Sequence, residues 1–148
     1  DDAGHSKQIN YQGVANLIAA ARASGTCGRI VRLTGKGETP WSIFSILINL
    51  LGSCAKAWNY EGEELLRAQA DVDYTIVRPG GLKADPPTGA LFVSGENTLN
   101  SGEISRDLVA DVSVAALFDG KASNKVVEIV ESDKDGNAKN GVFNGLKM

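Results

Sequence analysis

The sequence is short of the residues that usually carry metal and nucleophilic chemistry. Its 148 residues include one histidine, His5, and two cysteines, Cys27 and Cys54. The cysteines fall on separate expected elements at no metal-ligand spacing, and His5 lies in a polar leader. A zinc site or a histidine-based triad would need partners that the chain does not supply. Two such cysteines make no disulfide framework, so a reducing compartment is expected. Long apolar runs are missing as well. The longest, residues 41–51, is broken by Ser42, Ser45 and Asn49. It falls short of the roughly 18 residues that a membrane-spanning helix needs. Excess positive charge is absent too. A net charge of -3 and a pI near 5.1 give no electrostatic case for nucleic acid or an anionic membrane. The first residue is Asp1 rather than methionine, so a processed or partial chain is expected and any targeting segment is out of view.

What is present suits one domain. Hydrophobic residues make up 43% of the chain, enough for a core at this length. From Ser6, a plausible N-cap, Tyr11, Val14, Ile18 and Ala21 recur at helical steps up to a stop at Gly25. Residues 29–34 read as a short β-branched strand. A loop through Gly35, Gly37, Glu38 and Pro40 leads to a helix that is apolar on nearly every side. Ala57, Trp58, Leu65 and Leu66 mark one face of a further helix, which should end near Gln69. Residues 74–78 form a strong strand cut off by Pro79-Gly80-Gly81, and residues 91–93 a short extra one. Ser105 is a good N-cap for the helix carrying Val109, Val112, Ala116 and Leu117. Residues 125–130 read as the last strand. The tail from Glu131 is polar and without period, expected to be loose or draped over a neighbour. Helix and strand alternate with connections long enough for parallel pairing, which predicts an α/β fold. Three main strands make a thin sheet whose first edge needs a partner, from a missing piece or another chain.

The run Asp73-Tyr74-Thr75-Ile76-Val77-Arg78-Pro79-Gly80-Gly81-Leu82 resembles a signature of the atypical short-chain dehydrogenase/reductases of the NAD(P)H-binding kind. Three stretches around it follow the order of that family: residues 11–18, the Trp58–Arg67 helix, and Ile104-Ser105-Arg106-Asp107 through Val112. The resemblance implies the carboxyl-terminal part of a Rossmann-like, doubly wound parallel sheet with its glycine-rich amino-terminal half absent. Residues 1–130 would then be a partial NAD(P)-binding domain and 131–148 a polar tail. Residues 35–59 are most similar to plastid relatives of algae and plants, several of which serve photosystem biogenesis. That implies the plastid stroma or its membrane face, and a photosystem or an assembly intermediate as partner.

In the family the pyrophosphate sits on a glycine fingerprint at a helix N-terminus. No such fingerprint occurs here. Gly35-x-Gly37 opens a loop after a strand, but Glu38 would repel phosphate, and a tight turn is the plainer reading. The fragment itself is therefore expected to hold no cofactor, with NAD(P)H reserved for the full-length protein. Reduction in this family uses a tyrosine with a lysine four residues later, whose ammonium lowers a phenol pKa from near 10. Here Tyr60 is followed at that spacing by Glu64, which acts in the wrong direction. Asn59 stands where relatives place a lysine, and its amide supplies no charge. Tyr74 has Arg78 four positions on, but in a strand that is roughly 13 Å away. Thr34 holds the serine-like position, where a hydroxyl either orients a carbonyl or satisfies the next turn. Arg78, Pro79, Gly80 and Gly81 close a strand at the edge where such sheets bind ligands; they border a nicotinamide or serve backbone geometry alone. Trp41, Phe44, Leu47 and Leu51 belong to a stripe too broad for one face, which is either core or a docking surface.

Two functions follow as expectations. One is a non-catalytic subunit or assembly factor that docks on a larger complex through the apolar helix. The other is an NAD(P)H-dependent oxidoreductase whose cofactor-binding half lies outside this chain, with Thr34, Asn59 and Pro79 to Gly81 lining the nicotinamide end.

Overall fold

The structure, a computed structural model, describes residues 2–35, 43–51, 54–99, 101–132, 136, 141–144 and 146. The side chains of residues 2–4, 44, 48 and 51 also lie outside the description. Pro40 and the Gly37-Glu38 pair of the predicted loop fall among the residues not described. Two units divide the chain: Asp1–Gly28 with Gly37–Asp73, and Arg29–Lys36 with Tyr74–Met148.

The first unit is helical. Helix α1 (Asp2–Lys7) continues through a π-helical turn, Gln8–Gln12, into α2 (Gly13–Ser24). Ser6 lies inside α1, which corrects its expected place as an N-cap. The N–H groups that follow it belong to a continuing helix, so its hydroxyl has none to cap. Val14, Ile18 and Ala21 are buried along one stripe, as their spacing predicts. Gly25 ends the helix in the left-handed region at φ 63°, and its N–H donates to the Arg22 carbonyl at 3.2 Å. Helix α3 (Ile43–Leu51) and helix α4 (Ala55–Arg67) complete the unit. The Tyr11 ring lies 6.0 Å from that of Trp58, and the Lys7 ammonium stands 4.9 Å over the same indole. Arg22 donates to both carboxylate oxygens of Asp71 at 2.7 and 2.9 Å and to Gln69 at 2.6 Å, tying the end of α2 to the segment after α4.

The second unit is built on a mixed sheet. Strands β1 (Arg29–Leu33), β2 (Asp73–Pro79), β4 (Ala90–Gly95) and β6 (Lys125–Ser132) lie in the order β1-β2-β6-β4. Strands β2 and β6 are parallel, from Thr75 beside Lys125 to Pro79 beside Ile129. Strand β4 runs antiparallel to β6, from Ala90 beside Ser132 to Gly95 beside Val127. The expected all-parallel sheet is thus corrected. β4 has a period-two pattern whose Leu91 and Val93 meet the core, and no helix lies between Pro79 and Ala90, so it enters the sheet reversed. Two short strands not read from the sequence, β3 (Gly81–Lys83) and β5 (Glu103–Ser105), pair in parallel as a separate ribbon.

Helix α5 (Arg106–Phe118) starts where its cap predicts. Ser105 is extended, and its hydroxyl accepts the Leu108 N–H at 3.3 Å. Val109, Val112 and Ala116 bury against Val77, Val93, Val127 and Ile129 of the sheet. The polar tail adds to this core: Phe143 is 1% exposed within it, with Val142 and Leu146 packed alongside. Strand β1 is held to the end of α5 by Arg29, whose guanidinium donates to the carbonyls of Ala116 at 2.6 Å and Asp119 at 2.7 Å. A cation there also meets the negative end of the helix dipole.

Candidate functional site

In open α/β sheets, ligands bind beyond the carboxyl ends of the parallel strands. In the second unit that edge holds Thr34 and the Arg78–Gly81 segment. The Thr34 N–H donates to the Val77 carbonyl at 3.0 Å, which brings these two candidates side by side. The glycines have different reasons. A Cβ on Gly80 would fall 2.3 Å from the Gly102 carbonyl oxygen and 2.9 Å from Val130 Cγ1, so glycine there answers a close internal approach. At Gly81 a Cβ would meet nothing closer than Glu103 Cγ, at 3.4 Å. The Gly80 N–H donates to the Ile129 carbonyl at 2.9 Å and the Gly81 N–H to the Gly102 carbonyl, also at 2.9 Å.

Arg78 is fully buried, and its guanidinium meets Glu96 at 3.1 Å. Strand register places Arg78 beside Glu128 of β6, and Glu128 beside Ser94 of β4. Glu128 is 1% exposed, and one of its oxygens accepts the N–H groups of Thr98 at 3.1 Å and Leu99 at 2.8 Å. A polar row thus crosses one face of the sheet and holds the loop after β4. The sequence reading missed it. Its signal was a glutamate in the middle of a β-branched run, Val126-Val127-Glu128-Ile129-Val130.

Glu131, near the end of β6, is a second hub. One oxygen accepts the Ser105 N–H at 2.6 Å. The other accepts the N–H groups of Thr88 at 2.9 Å and Gly89 at 3.0 Å, and meets the Lys83 ammonium at 2.8 Å. Burial alone would raise this carboxyl. Lys83 and the Thr88, Ser105 and Gly89 N–H groups outweigh burial and hold it well below the usual carboxylate range. The charged groups along this edge are engaged with one another and with loop backbone.

The other candidates belong to the first unit. Tyr60 and Asn59 lie in α4, half-buried, as does Glu64, which pairs with Arg67 at 3.4 Å. Four-residue spacing on a helix puts a carboxylate, not an ammonium, beside the Tyr60 ring. Of the proposed docking residues, Trp41 lies outside the described residues, as do the side chains of Phe44 and Leu51. Leu47 is 56% exposed, and Ile43 and Leu50 on the same helix are 88% and 78% exposed, whereas Ser45 is buried. Core packing therefore does not hold at these three positions of α3.

A dinucleotide needs more than this. Its pyrophosphate requires backbone N–H groups converging at a helix start. Among the described residues, the second unit offers a hydroxyl and strand-end backbone but no phosphate cradle. These residues alone do not fit the whole cofactor, and no hydride-transfer step is assigned to them. No group of three or more potential metal ligands occurs among the described residues.

Comparison with known proteins fits this architecture. A family described as NAD(P)H-binding matches residues 2–120. An uncharacterized chloroplastic protein of Arabidopsis thaliana is 41% identical over 128 residues, 83% of this chain and 45% of its own length. The chloroplastic protein TIC 62 of Pisum sativum is 29% identical over 128 residues, covering 83% of this chain and 23% of TIC 62. The chain therefore spans less than half the length of these relatives. Among solved structures, a Bacillus halodurans protein described as an NAD-dependent epimerase/dehydratase superposes with a TM-score of 0.73. It is 22% identical, and the match covers 90% of this chain and 60% of that one. The fold is α/β and Rossmann-like, with a mixed sheet.

Proposed function

Because the chain belongs to the NAD(P)H-binding family, we propose that it uses the dinucleotide fold as a docking module, a non-catalytic subunit or assembly factor of a larger plastid complex. The observation that carries this reading is α3. Ile43, Leu47 and Leu50 turn outward on a helix with no charged residue, and a lone protein rarely leaves so much contiguous apolar surface in water. The edge chemistry supports it. Arg78, Glu128 and Glu131 hold loops in place, and Tyr60 has Glu64 where a reductase would have lysine. The chloroplastic relatives support a plastid location for this reading, and a photosystem or its assembly intermediate is the complex we propose. In this reading the sheet extends beyond β1, whose outer edge takes a further strand in the working protein, so that these residues form the carboxyl-terminal part of the domain.

The test is Leu47→Asp in plastid extracts resolved on native gels. The wild-type protein is expected in a chlorophyll-containing band and the variant, with an unchanged circular dichroism spectrum, in the free pool. A folded variant that still co-migrates would remove α3 from the interface. An alternative is an NAD(P)H-dependent oxidoreductase in which Thr34, Asn59 and Pro79 to Gly81 line the nicotinamide end. Thr34 beside the end of β2 is what favours it. NADPH oxidation by the intact protein with any acceptor would select that reading.

A further inference from the structure

The opposite, amino-terminal end of β6 holds a cavity of about 470 Å³, well within the range of small-molecule sites, roughly 300–1,000 Å³. It lies wholly in the second unit. One wall is the 3₁₀ turn Gly120–Ala122, with Ser123 and Lys125 following, and the other is Phe143, Asn144 and Leu146. The Asp119 carboxylate accepts the Lys121 N–H at 2.9 Å, and the Ala122 N–H donates to the Asp119 carbonyl at 3.1 Å, so the turn is fixed. Asn124 sits in the left-handed region at φ 55°. Its N–H donates to the Tyr74 carbonyl at 2.7 Å, and its side chain accepts the Tyr74 N–H at 3.2 Å. That anchors the segment between the turn and Lys125 to β2. This wall is built before any ligand arrives.

The lining combines two chemistries. Leu146 gives an apolar floor, backed by the buried Phe143, and Lys121 and Lys125 bring two ammonium groups to it. Among the described residues the cavity is lined by no carboxylate, in a chain whose net charge is -3. The Lys121 ammonium bonds the neutral Asn144 amide, and no carboxylate among the described residues pairs with it. The Lys125 ammonium has no hydrogen-bond or ion-pair partner among the described residues. Water would solvate the ammonium groups well and the floor poorly. A ligand with an anionic head and an apolar body satisfies both at once.

We propose that this cavity binds a small amphipathic organic anion, an aromatic or branched aliphatic body bearing one carboxylate or phosphate, with Lys121 and Lys125 on the head and Leu146 on the body. It lies at the far end of an eight-residue strand from the edge that faces a nucleotide in this fold, roughly 20 Å away. The two sites are therefore separate.

Phenylacetate and its neutral counterpart phenylacetamide make the probe pair, titrated into the ¹⁵N-labelled chain. Phenylacetate is expected to shift the Lys121, Ser123 and Asn144 amides in a saturable way. Phenylacetamide, and phenylacetate against Lys125→Gln, should bind at least about tenfold more weakly, the factor carried by one charge-assisted hydrogen bond. The exposed Arg106→Gln should bind as the wild type does. Shifts that fail to saturate, that are equal for acid and amide, or that persist unchanged in Lys125→Gln would overturn the proposal. Lys121→Gln gives a second, independent variant on an exposed position. Nothing in this readout involves a nucleotide or a partner protein, so its failure is distinct from failure of the docking reading.

Discussion

Glu131 shows how one side chain can join separate segments. Near the end of β6, its carboxylate gathers β5, the 88–89 turn and Lys83 of β3. Because its folded pKa lies below the ordinary value of 4.5, the unfolded chain binds the proton more readily. The stabilisation is therefore complete above about pH 4.5 and is lost as the pH falls below that value. Glu131→Gln should lower stability at neutral pH by about 2 kcal/mol, the scale of hydrogen bonds to a charged group. Urea midpoints of wild type and variant should converge as the solution is acidified. A gap that stays constant with pH would show that the carboxylate charge is not what holds these segments. This hub was hidden in the sequence, where Glu131 reads as the first residue of a polar tail. Its partners lie 26 to 48 positions away, and no local pattern reports such a distance.

Elements with their own periodicity were legible, and those that depend on distant partners were not. Helix α5 declared both its buried face and its cap, since Ser105 and the stripe from Val109 to Ala116 lie within one stretch. Ser105→Ala should cost about 1 kcal/mol, measured by thermal unfolding, because the Leu108 N–H loses its acceptor. A loss of only a few tenths would mean that Asp107 or water replaces the hydroxyl. Strand β4 was half visible, its alternation plain and its direction not. Antiparallel pairing is decided by β6, more than thirty residues on. The three-residue strands β3 and β5 are too short to have a period. For the site, the strand end at Arg78–Gly81 was legible as a motif. That Arg78 is buried against Glu96, and that Gly80 serves packing against Gly102, needed the third dimension. In α3 the sequence left core and surface open because its residues are apolar on every side.

For the second unit as a whole, β6 is the structural centre. It pairs on both sides and supplies Val127 and Ile129 to the core that Phe143 completes. Phe143→Ala should therefore destabilise this unit by about 3–5 kcal/mol, seen as a lower urea midpoint of the sheet signal. A loss below about 1 kcal/mol would mean that the tail rests on the core without sealing it. The position of β6 also has a consequence for biosynthesis. Its neighbours β2 and β4 are complete by residue 95, yet neither pairs with the other, and the strand that joins them ends at Ser132. On the ribosome, both must wait with open edges for some thirty-seven more residues to emerge. Nascent chains stalled before Lys125 should be sensitive to protease and bound by chaperones, and those that have passed Ser132 should become resistant almost at once.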